Sequence, residues 1–250
     1  MKTKNHKQKC VVIIQARMGA TRLPGKPMKK VLERELLSYQ IERIRRAKRV
    51  DEIVVATTTE PADDVIVSLC KKEHIPFYRG SEEDVLDRYY QAAKQYHADI
   101  VVRITGDCPL ADPEIIDHTI NYYLELKPPC DYVSNTLQLT FPRGLDVEVF
   151  SFKQLEHIHS IAHEPREREH VTPYFYLHPE KFVLGCYKNT TDLSKHRWTV
   201  DQIEDFELIS RIINDLYPRK PNFLMQDVLD LLARHPDWVA INAHVIQKKL

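Results

Sequence analysis

Three cations and two glycines crowd one short stretch of this chain. In "ARMGATRLPGKPM", Arg17, Arg22 and Lys26 surround Gly19 and Gly25, directly behind the apolar run "CVVIIQ". The whole chain has only six glycines, so two of them here is a concentrated use. Arginine offers a planar fork of donors that matches phosphate oxygens, and lysine a compact point charge. Glycine lets a backbone approach a ligand closely or turn into positive φ. Pro24 and Pro27 stiffen the loop, so less entropy is lost when it closes on an anion. The chemistry expected is a cradle for a polyphosphate; the plain alternative is a surface turn with ordinary cations. The loop is not a Walker A motif, because Gly19 and Gly25 lie six apart and Pro27 follows Lys26. It is not GxGxxG either, which disfavours a dinucleotide fold.

Carboxylates supply a second half. "TGDCPL" places Asp107 just beyond the apolar run "DIVVRI", with Gly106 allowing a tight turn before it. A carboxylate at a strand's end, facing a triphosphate, suits Mg2+, which takes one or two carboxylates and fills its shell with phosphate oxygens and water. Asp201 in "RWTVDQIEDF" is a second candidate, and it is also placed to cap a helix starting at Ile203. Asp112, just before Pro113, reads as a helix cap. His157, His159, His163 and His170 crowd "EHIHSIAHEPREREH". Nothing completes a tetrahedral zinc set there with clear spacing, so solvated or packing histidines are expected.

The elements that must position these groups follow from periodicity. "CVVIIQ", "EIVVATT", "PFYRG" and "DIVVRIT" read as short strands. "ELLSYQIERIRRAK", "ADDVIVSLCKKEH", "SEEDVLDRYYQAAKQYHA" and "DPEIIDHTINYYLEL" alternate with them as amphipathic helices. The third of these carries a capping signal, Ser81 with Asp84 three residues on. Strand-helix alternation of this kind implies a parallel sheet covered on both faces, with ligands at the carboxyl ends of its strands. After "KPP" the texture changes. "DYVSN", "LDVEVFS" and "FVLGCY" look like strands, "FKQLEHIHSIAH" and "IEDFELISRIINDLY" like helices, and the tail from about Met225 like two more. A single domain over 1–250 is expected, with an inserted β-rich arm at about 131–190.

Global composition narrows the partners. Lys and Arg total 36 and so do Asp and Glu, giving a net charge of zero. Nucleic acid or an anionic membrane would favour a basic excess, so neither is expected as a partner. The five cysteines are odd in number and form no CxxC pair, which fits a reducing cytosol better than a disulfide framework or zinc ribbon. The basic start "MKTKNHKQK" leads into an apolar run too short for a signal peptide. A cytoplasmic setting is expected.

With these residues in view, the chain resembles a known family. "IIQARMGATRLPGKPM" is similar to the signature loop of sugar-activating cytidylyltransferases, the acylneuraminate and 3-deoxy-manno-octulosonate enzymes among them. The nearest likeness is to the branch of the spore coat polysaccharide biosynthesis protein F. "DEIVVATT", "FYRGSEEDVLDRYYQAA", "DIVVRITGDCPLADPEIID", "DYVSNT", "GLDVEVFSF", "EREHVTPY" and "RWTVDQIEDFELI" resemble the same branch in the same order, over about residues 10–215. The resemblance implies a Rossmann-like nucleotide-diphospho-sugar transferase fold of the α/β class. It has a mostly parallel sheet, helices on both faces and a dimerisation arm. It also implies transfer of a nucleotidyl group from a nucleoside triphosphate, CTP by likeness alone, to an acidic sugar or similar acceptor.

The residues carried over are specific. Gln15, Ala16, Arg17, Gly19, Arg22, Lys26, Arg103 and Asp107 are expected at the nucleotide, with Arg17, Lys26 and Asp107 catalytic. Asp107 and Asp201 are expected to hold Mg2+. Asn135, Asp146, Glu148 and Arg168 are expected at the acceptor, though Glu148 could as well be an edge-strand charge. A homodimer is expected. Two stretches depart from the family pattern. Gln202 and Ile203 stand where Thr-Pro is usual after the aspartate, and Ala20 stands where serine is common. A glycosyltransferase of related fold, or a non-catalytic nucleotide-binding relative, remains the alternative.

Overall fold

The structure is a computed structural model that describes residues 7–247; the first six residues of the basic start lie outside the described residues. The chain opens with β1 (Cys10–Gln15), followed by the cation-rich loop and a small hairpin, β2 (Lys30–Val31) and β3 (Arg34–Glu35). Then come α1 (Leu36–Ile44), β4 (Glu52–Thr58), α2 (Asp64–Lys72), β5 (Phe77–Gly80), α3 (Val85–Gln95), β6 (Ile100–Thr105) and α4 (Pro113–Glu125). The second half contributes β7 (Tyr132–Ser134), β8 (Glu148–Ser151), α5 (Phe152–Ile161), α6 (Pro165–His170), α7 (Pro173–Leu177) and β9 (Leu184–Cys186). It closes with α8 (Ile203–Leu216), α9 (Met225–Arg234) and α10 (Pro236–Ala240).

The main sheet has the strand order β5-β4-β1-β6-β8-β7-β9. β5, β4, β1 and β6 pair in parallel, β8 runs antiparallel to both β6 and β7, and β9 is parallel to β7. Only β8 therefore runs against the rest, and the expected mostly parallel α/β architecture is found. β1 is apolar throughout because both its faces are covered. Val12 and Ile14 pack into one layer, Val11 and Ile13 into the other, and all four are fully buried. The first layer is closed by Leu37, Ile41 and Ile44 of α1, Ile116 and Ile120 of α4, and Ile209, Ile212 and Ile213 of α8. The second is closed by Leu86, Tyr89 and Ala92 of α3 with Leu155 and Ile158 of α5.

The segment at about 131–190, expected as an inserted arm, is continuous with this body. β7, β8 and β9 complete the main sheet, and Tyr132, Phe150 and Phe175 pack ring to ring in the second layer at 5.0–6.3 Å. Alternating apolar residues on short strands need a partner on each side, and the edge of β6 supplies one.

Helix starts are partly as expected. Asp112 caps α4, accepting from the N–H groups of Glu114 and Ile115. For α3 the cap is Asp84, which accepts from Asp87 N–H, while Ser81 receives Asp84 N–H one turn earlier. Residues 81–84 thus form a turn of their own before the helix begins. Among the described residues no helix is long and apolar enough to cross a membrane.

Candidate active site

The growth of the sheet reverses at β1: β4 and β5 add on one side, β6 and its followers on the other. A crevice opens at such a switch point, beyond the carboxyl ends of the strands. Gln15 and Thr105 end the two neighbouring strands side by side. Immediately beyond, Gly106 N–H donates to the Gln15 carbonyl at 2.8 Å. A Cβ at Gly106 would lie 2.6 Å from that same oxygen, so the close approach that aims Asp107 requires glycine.

Asp107 meets the cation-rich loop directly. Lys26 Nζ lies 2.9 Å from Asp107 Oδ2 and 2.6 Å from Asp201 Oδ1, bridging the two carboxylates. Thr105 Oγ1 donates to the other Asp107 oxygen at 2.5 Å. Burial alone would raise the Asp107 pKa, but the Lys26 ammonium and the Thr105 hydroxyl override it and hold the carboxyl well below its usual range. Burial would lower the Lys26 pKa, and the two carboxylates reverse that as well, so the ammonium stays charged. Arg22 Nη2 at 3.0 Å and Arg197 Nη2 at 3.3 Å reach the second Asp201 oxygen.

Asp201 is distant in sequence and is brought in by the backbone. Val200 N–H donates to the Asp107 carbonyl at 2.8 Å and Thr199 Oγ1 to the same oxygen at 3.2 Å. The helix-cap reading of Asp201 is corrected here, because Gln202 occupies the cap of α8. Asp205 performs the local work. Its Oδ2 accepts the N–H groups of Asp201 and Gln202, each at 3.0 Å, and its carboxylate pairs with the Arg197 fork at 2.8 and 3.0 Å. Asn242 Nδ2 adds a further donor at 2.9 Å. The Asp201 carboxylate is left to face Lys26.

The loop itself is organised around Met18. Its carbonyl accepts the N–H groups of Ala20 and Gly25, each at 2.9 Å, and its own N–H donates to Asp63 Oδ1 at 2.7 Å. Gly25 turns through φ 70°, the left-handed region, just before the short turn Lys26–Met28 that presents the lysine. Asp63 is buried, and its other oxygen receives the Thr57 hydroxyl and both the hydroxyl and the N–H of Thr58. Arg17 pairs with Glu82 at 3.0 Å, against which Gly19 is packed.

Two cavities meet at this centre. The smaller, of about 290 Å³, runs along the loop and is lined by Gln15, Ala16, Arg17, Arg22, Lys26, Asp107 and Asp201, with Val85 and Arg88. The larger, of about 700 Å³, is walled by Arg103, Arg143, Asp146, Glu148, Thr172 and Tyr176. Gln15, Thr105, Asp107, His170, Asp201 and Gln247 border both.

Most of the expected site residues are thus gathered together, with some reassignments. Arg103, expected at the nucleotide, lines only the larger cavity. It faces Glu148 in the β6–β8 register and pairs with it at 2.5 Å. Glu148 also accepts the Tyr132 hydroxyl at 2.8 Å and the Thr172 hydroxyl at 3.0 Å, so it is a buried network member and not an edge charge. Asp146 faces the larger cavity, 3.7 Å from Arg143. Burial raises its pKa to about 6; Arg143 opposes the rise, and the negative charges of Asp107 and Glu148 add to it. Asn135 and Arg168 line neither cavity. The Asn135 amide clamps the chain before β8, donating to Leu145 O at 2.7 Å and accepting Val147 N–H at 2.8 Å. Arg168 pairs with Asp84 at 2.5 Å and donates to the His159 carbonyl.

The histidine cluster makes no metal centre: among the described residues no group of three or more His, Cys, Asp or Glu side chains could hold an ion. His159 instead contacts Asp87 at 3.0 Å and stacks on Tyr90. The donor set at the centre has a different character. Two carboxylates share one cation and open towards a cavity, which fits a hard divalent ion that draws its remaining ligands from phosphate and water. Sequence reasoning missed Arg143, His170, Thr172, Tyr176, Arg88 and Asp63 as parts of this region.

A family model described as Cytidylyltransferase matches residues 11–225. The chain is 33% identical to the spore coat polysaccharide biosynthesis protein SpsF of Bacillus subtilis, covering 90% of this chain and 94% of the relative. It is 31% identical to a 3-deoxy-manno-octulosonate cytidylyltransferase of Chlamydia trachomatis, over 72% of this chain and 70% of the relative. Among solved structures, a cytidylyltransferase from Leptospira borgpetersenii superposes with a TM-score of 0.89 at 37% identity, over 97% of this chain and all of that one.

The Asp205 cluster leads to an expectation about stability. Asp205→Ala leaves a buried guanidinium with a depleted partner set and removes the acceptor that holds the Asp201 turn. It should cost about 3–5 kcal/mol, the usual scale for breaking a buried ion pair. Urea unfolding would show this as a lower midpoint, and an unchanged midpoint would deny the cluster its structural role.

Proposed function

The chain belongs to the cytidylyltransferase family, and on that premise we propose that it moves the cytidylyl group of CTP to a hydroxyl of an acidic sugar, releasing pyrophosphate. The observation that carries this reading is the Lys26 ammonium held between Asp107 and Asp201 at the junction of two cavities. One cavity has the loop cations along its wall and suits a triphosphate. The other is larger, polar and open to the same centre, and suits an acceptor. The relatives named for spore coat polysaccharide biosynthesis and for 3-deoxy-manno-octulosonate support a role in making an activated sugar for a surface glycan.

In this reading the acceptor hydroxyl oxygen bonds to the α-phosphorus and loses its proton to solvent as the α–β bridging P–O bond breaks, and the electron pair leaves with pyrophosphate. Such chemistry asks the protein mainly for positioning and charge stabilisation. Lys26, Arg17 and Arg22 meet the departing pyrophosphate, where negative charge accumulates. Asp107 and Asp201 would hold Mg2+, which when bound would neutralise phosphate charge. Gln15 and Thr105 form the floor between the two substrates. Arg143 offers a cation to an acidic acceptor, and Asp146 accepts from its hydroxyls.

The deciding experiment measures pyrophosphate release from each of the four nucleoside triphosphates with a panel of sugar acids, with and without Mg2+. Release confined to CTP, a sugar acid and Mg2+ is expected. Turnover of a nucleotide-sugar in place of a triphosphate would make the protein a glycosyltransferase.

Three expectations follow from these roles. Lys26→Ala should lower turnover by about 10²–10³-fold, the scale of one preorganised charge lost at a developing anion. Steady-state kinetics checks it, and unchanged turnover would remove Lys26 from the chemistry. Asp107→Asn and Asp201→Asn should be non-additive, the double variant losing little more than the worse single one, because groups acting as a unit share one loss. Fully multiplicative losses would assign them separate tasks. Finally, a homodimer through the 131–190 segment, where Leu137, Leu177 and Val183 are exposed, should appear in light scattering at micromolar concentration. A monomer there would rule it out.

A further inference from the structure

The Lys26 ammonium and a divalent ion compete for the same two oxygens. Lys26 Nζ touches Asp107 Oδ2 at 2.9 Å and Asp201 Oδ1 at 2.6 Å. A hard divalent ion takes carboxylate oxygens into its own shell at about 2.0–2.1 Å and crowds out other cations. The opposite oxygens offer it no substitute. Asp107 Oδ1 accepts the Thr105 hydroxyl at 2.5 Å, and Asp201 Oδ2 accepts Arg22 at 3.0 Å and Arg197 at 3.3 Å. All four oxygens are therefore engaged. An ion can enter only where a donor leaves.

The donors differ in how free they are to leave. Thr105 ends β6, and Arg197 is fixed by its fork on buried Asp205. Lys26 stands on a rigid root with a flexible stem. Gly25 N–H is tied to the Met18 carbonyl at 2.9 Å, Lys29 N–H to the Lys26 carbonyl at 3.3 Å, and Pro27 is buried. The backbone is thus held while four methylenes let the ammonium swing. It swings from a wall of the smaller cavity that also carries Arg17 and Arg22. A polyphosphate there offers the ammonium new acceptors, and the two carboxylates are then left to a cation of higher charge.

We propose that Lys26 is a place-holder for the divalent ion: it closes Asp107 and Asp201 to free metal until a polyphosphate draws it away. The ion then enters with the nucleotide and not ahead of it. The inference rests on the cytidylyltransferase reading and deepens it, giving that reaction an order of assembly.

One substitution tests both halves, through binding and without turnover. The probes are Mn2+ alone, followed by electron paramagnetic resonance, and inorganic pyrophosphate alone, followed by calorimetry in chelator. Lys26→Met should bind Mn2+ about 10–100-fold more tightly than wild type with no nucleotide present. That is the scale of removing one cation a few ångströms from a largely shielded site. The same variant should bind pyrophosphate about 10–100-fold more weakly, the scale of a lost hydrogen bond to a charged group. A gain for metal beside a loss for anion is a signature that a merely structural lysine would not give. Lys26→Arg keeps the cation and should leave Mn2+ binding as weak as in wild type. Adding Asp107→Asn to Lys26→Met should abolish the gain. Lys26→Gln, which keeps a donor without the charge, carries the test if the methionine variant does not fold. Unchanged Mn2+ affinity in the neutral variant would overturn the proposal, as would an equal gain in Lys26→Arg. Unchanged pyrophosphate affinity would overturn the hand-over. Both expected changes in a wild-type background that binds no CTP would uphold the place-holder and overturn the cytidylyltransferase reading.

Discussion

Two carboxylates facing one cavity repel each other unless something positive stands between them, and the site is built around that constraint. Lys26 resolves it. Its ammonium touches an oxygen of Asp107 and an oxygen of Asp201, and each partner keeps the other charged. The surrounding structure serves this arrangement. Gly106 closes the ends of β1 and β6 together, and the backbone of Thr199 and Val200 ties Asp201 to Asp107. Asp205 relieves Asp201 of capping duty, and Asp63 pins the loop that delivers the lysine. Removal of any one of these supports moves a charge that the others are placed to balance.

The parts of the molecule governed by local rules were legible in the sequence. β1 could be read as a strand buried on both faces because Val11 to Ile14 leave no polar face. α4 could be placed from Asp112 and Pro113, a cap followed by a residue suited to the first turn. Arg17, Arg22, Lys26 and Asp107 could be nominated because they lie in the loop that follows β1 or the turn that follows β6, and the carboxyl ends of strands are where a parallel sheet binds ligands. Asp201 was nominated with a helix-cap alternative. Only the tertiary structure separates the two, by showing Gln202 at the cap and Asp205 taking the N–H groups.

What stayed hidden depends on pairings that sequence spacing does not encode. Asn135 looks like a ligand because it is polar between apolar neighbours; in space both ends of its amide are satisfied by the backbone around Leu145 and Val147. Arg168 looks available until α6 packs near α3 and Asp84 claims it. Arg103 and Glu148 are 45 residues apart in the chain but directly opposite one another across β6 and β8. Asp63 reads as one acid among several in "EPADD", and nothing in that string says that it reaches across to the N–H of Met18. The 131–190 segment depends on pairings of the same kind: β8 finds a partner at the edge of β6, β7 pairs with β8, and β9 with β7.

The single reversed strand has a consequence for how such a protein can diverge. A parallel strand delivers to the ligand edge the residues that follow it, whereas β8, running the other way, delivers those that precede it. Arg143 and Asp146 therefore reach the larger cavity from an incoming loop, while the loop after β1 and the turn after β6 line the smaller one. The two cavities are walled largely by separate stretches of chain, which meet at Gln15, Thr105, Asp107, His170, Asp201 and Gln247. Insertions or exchanges in the loop entering β8 can reshape the larger cavity with the loop after β1 untouched, so one chamber can change its walls while the other keeps its own.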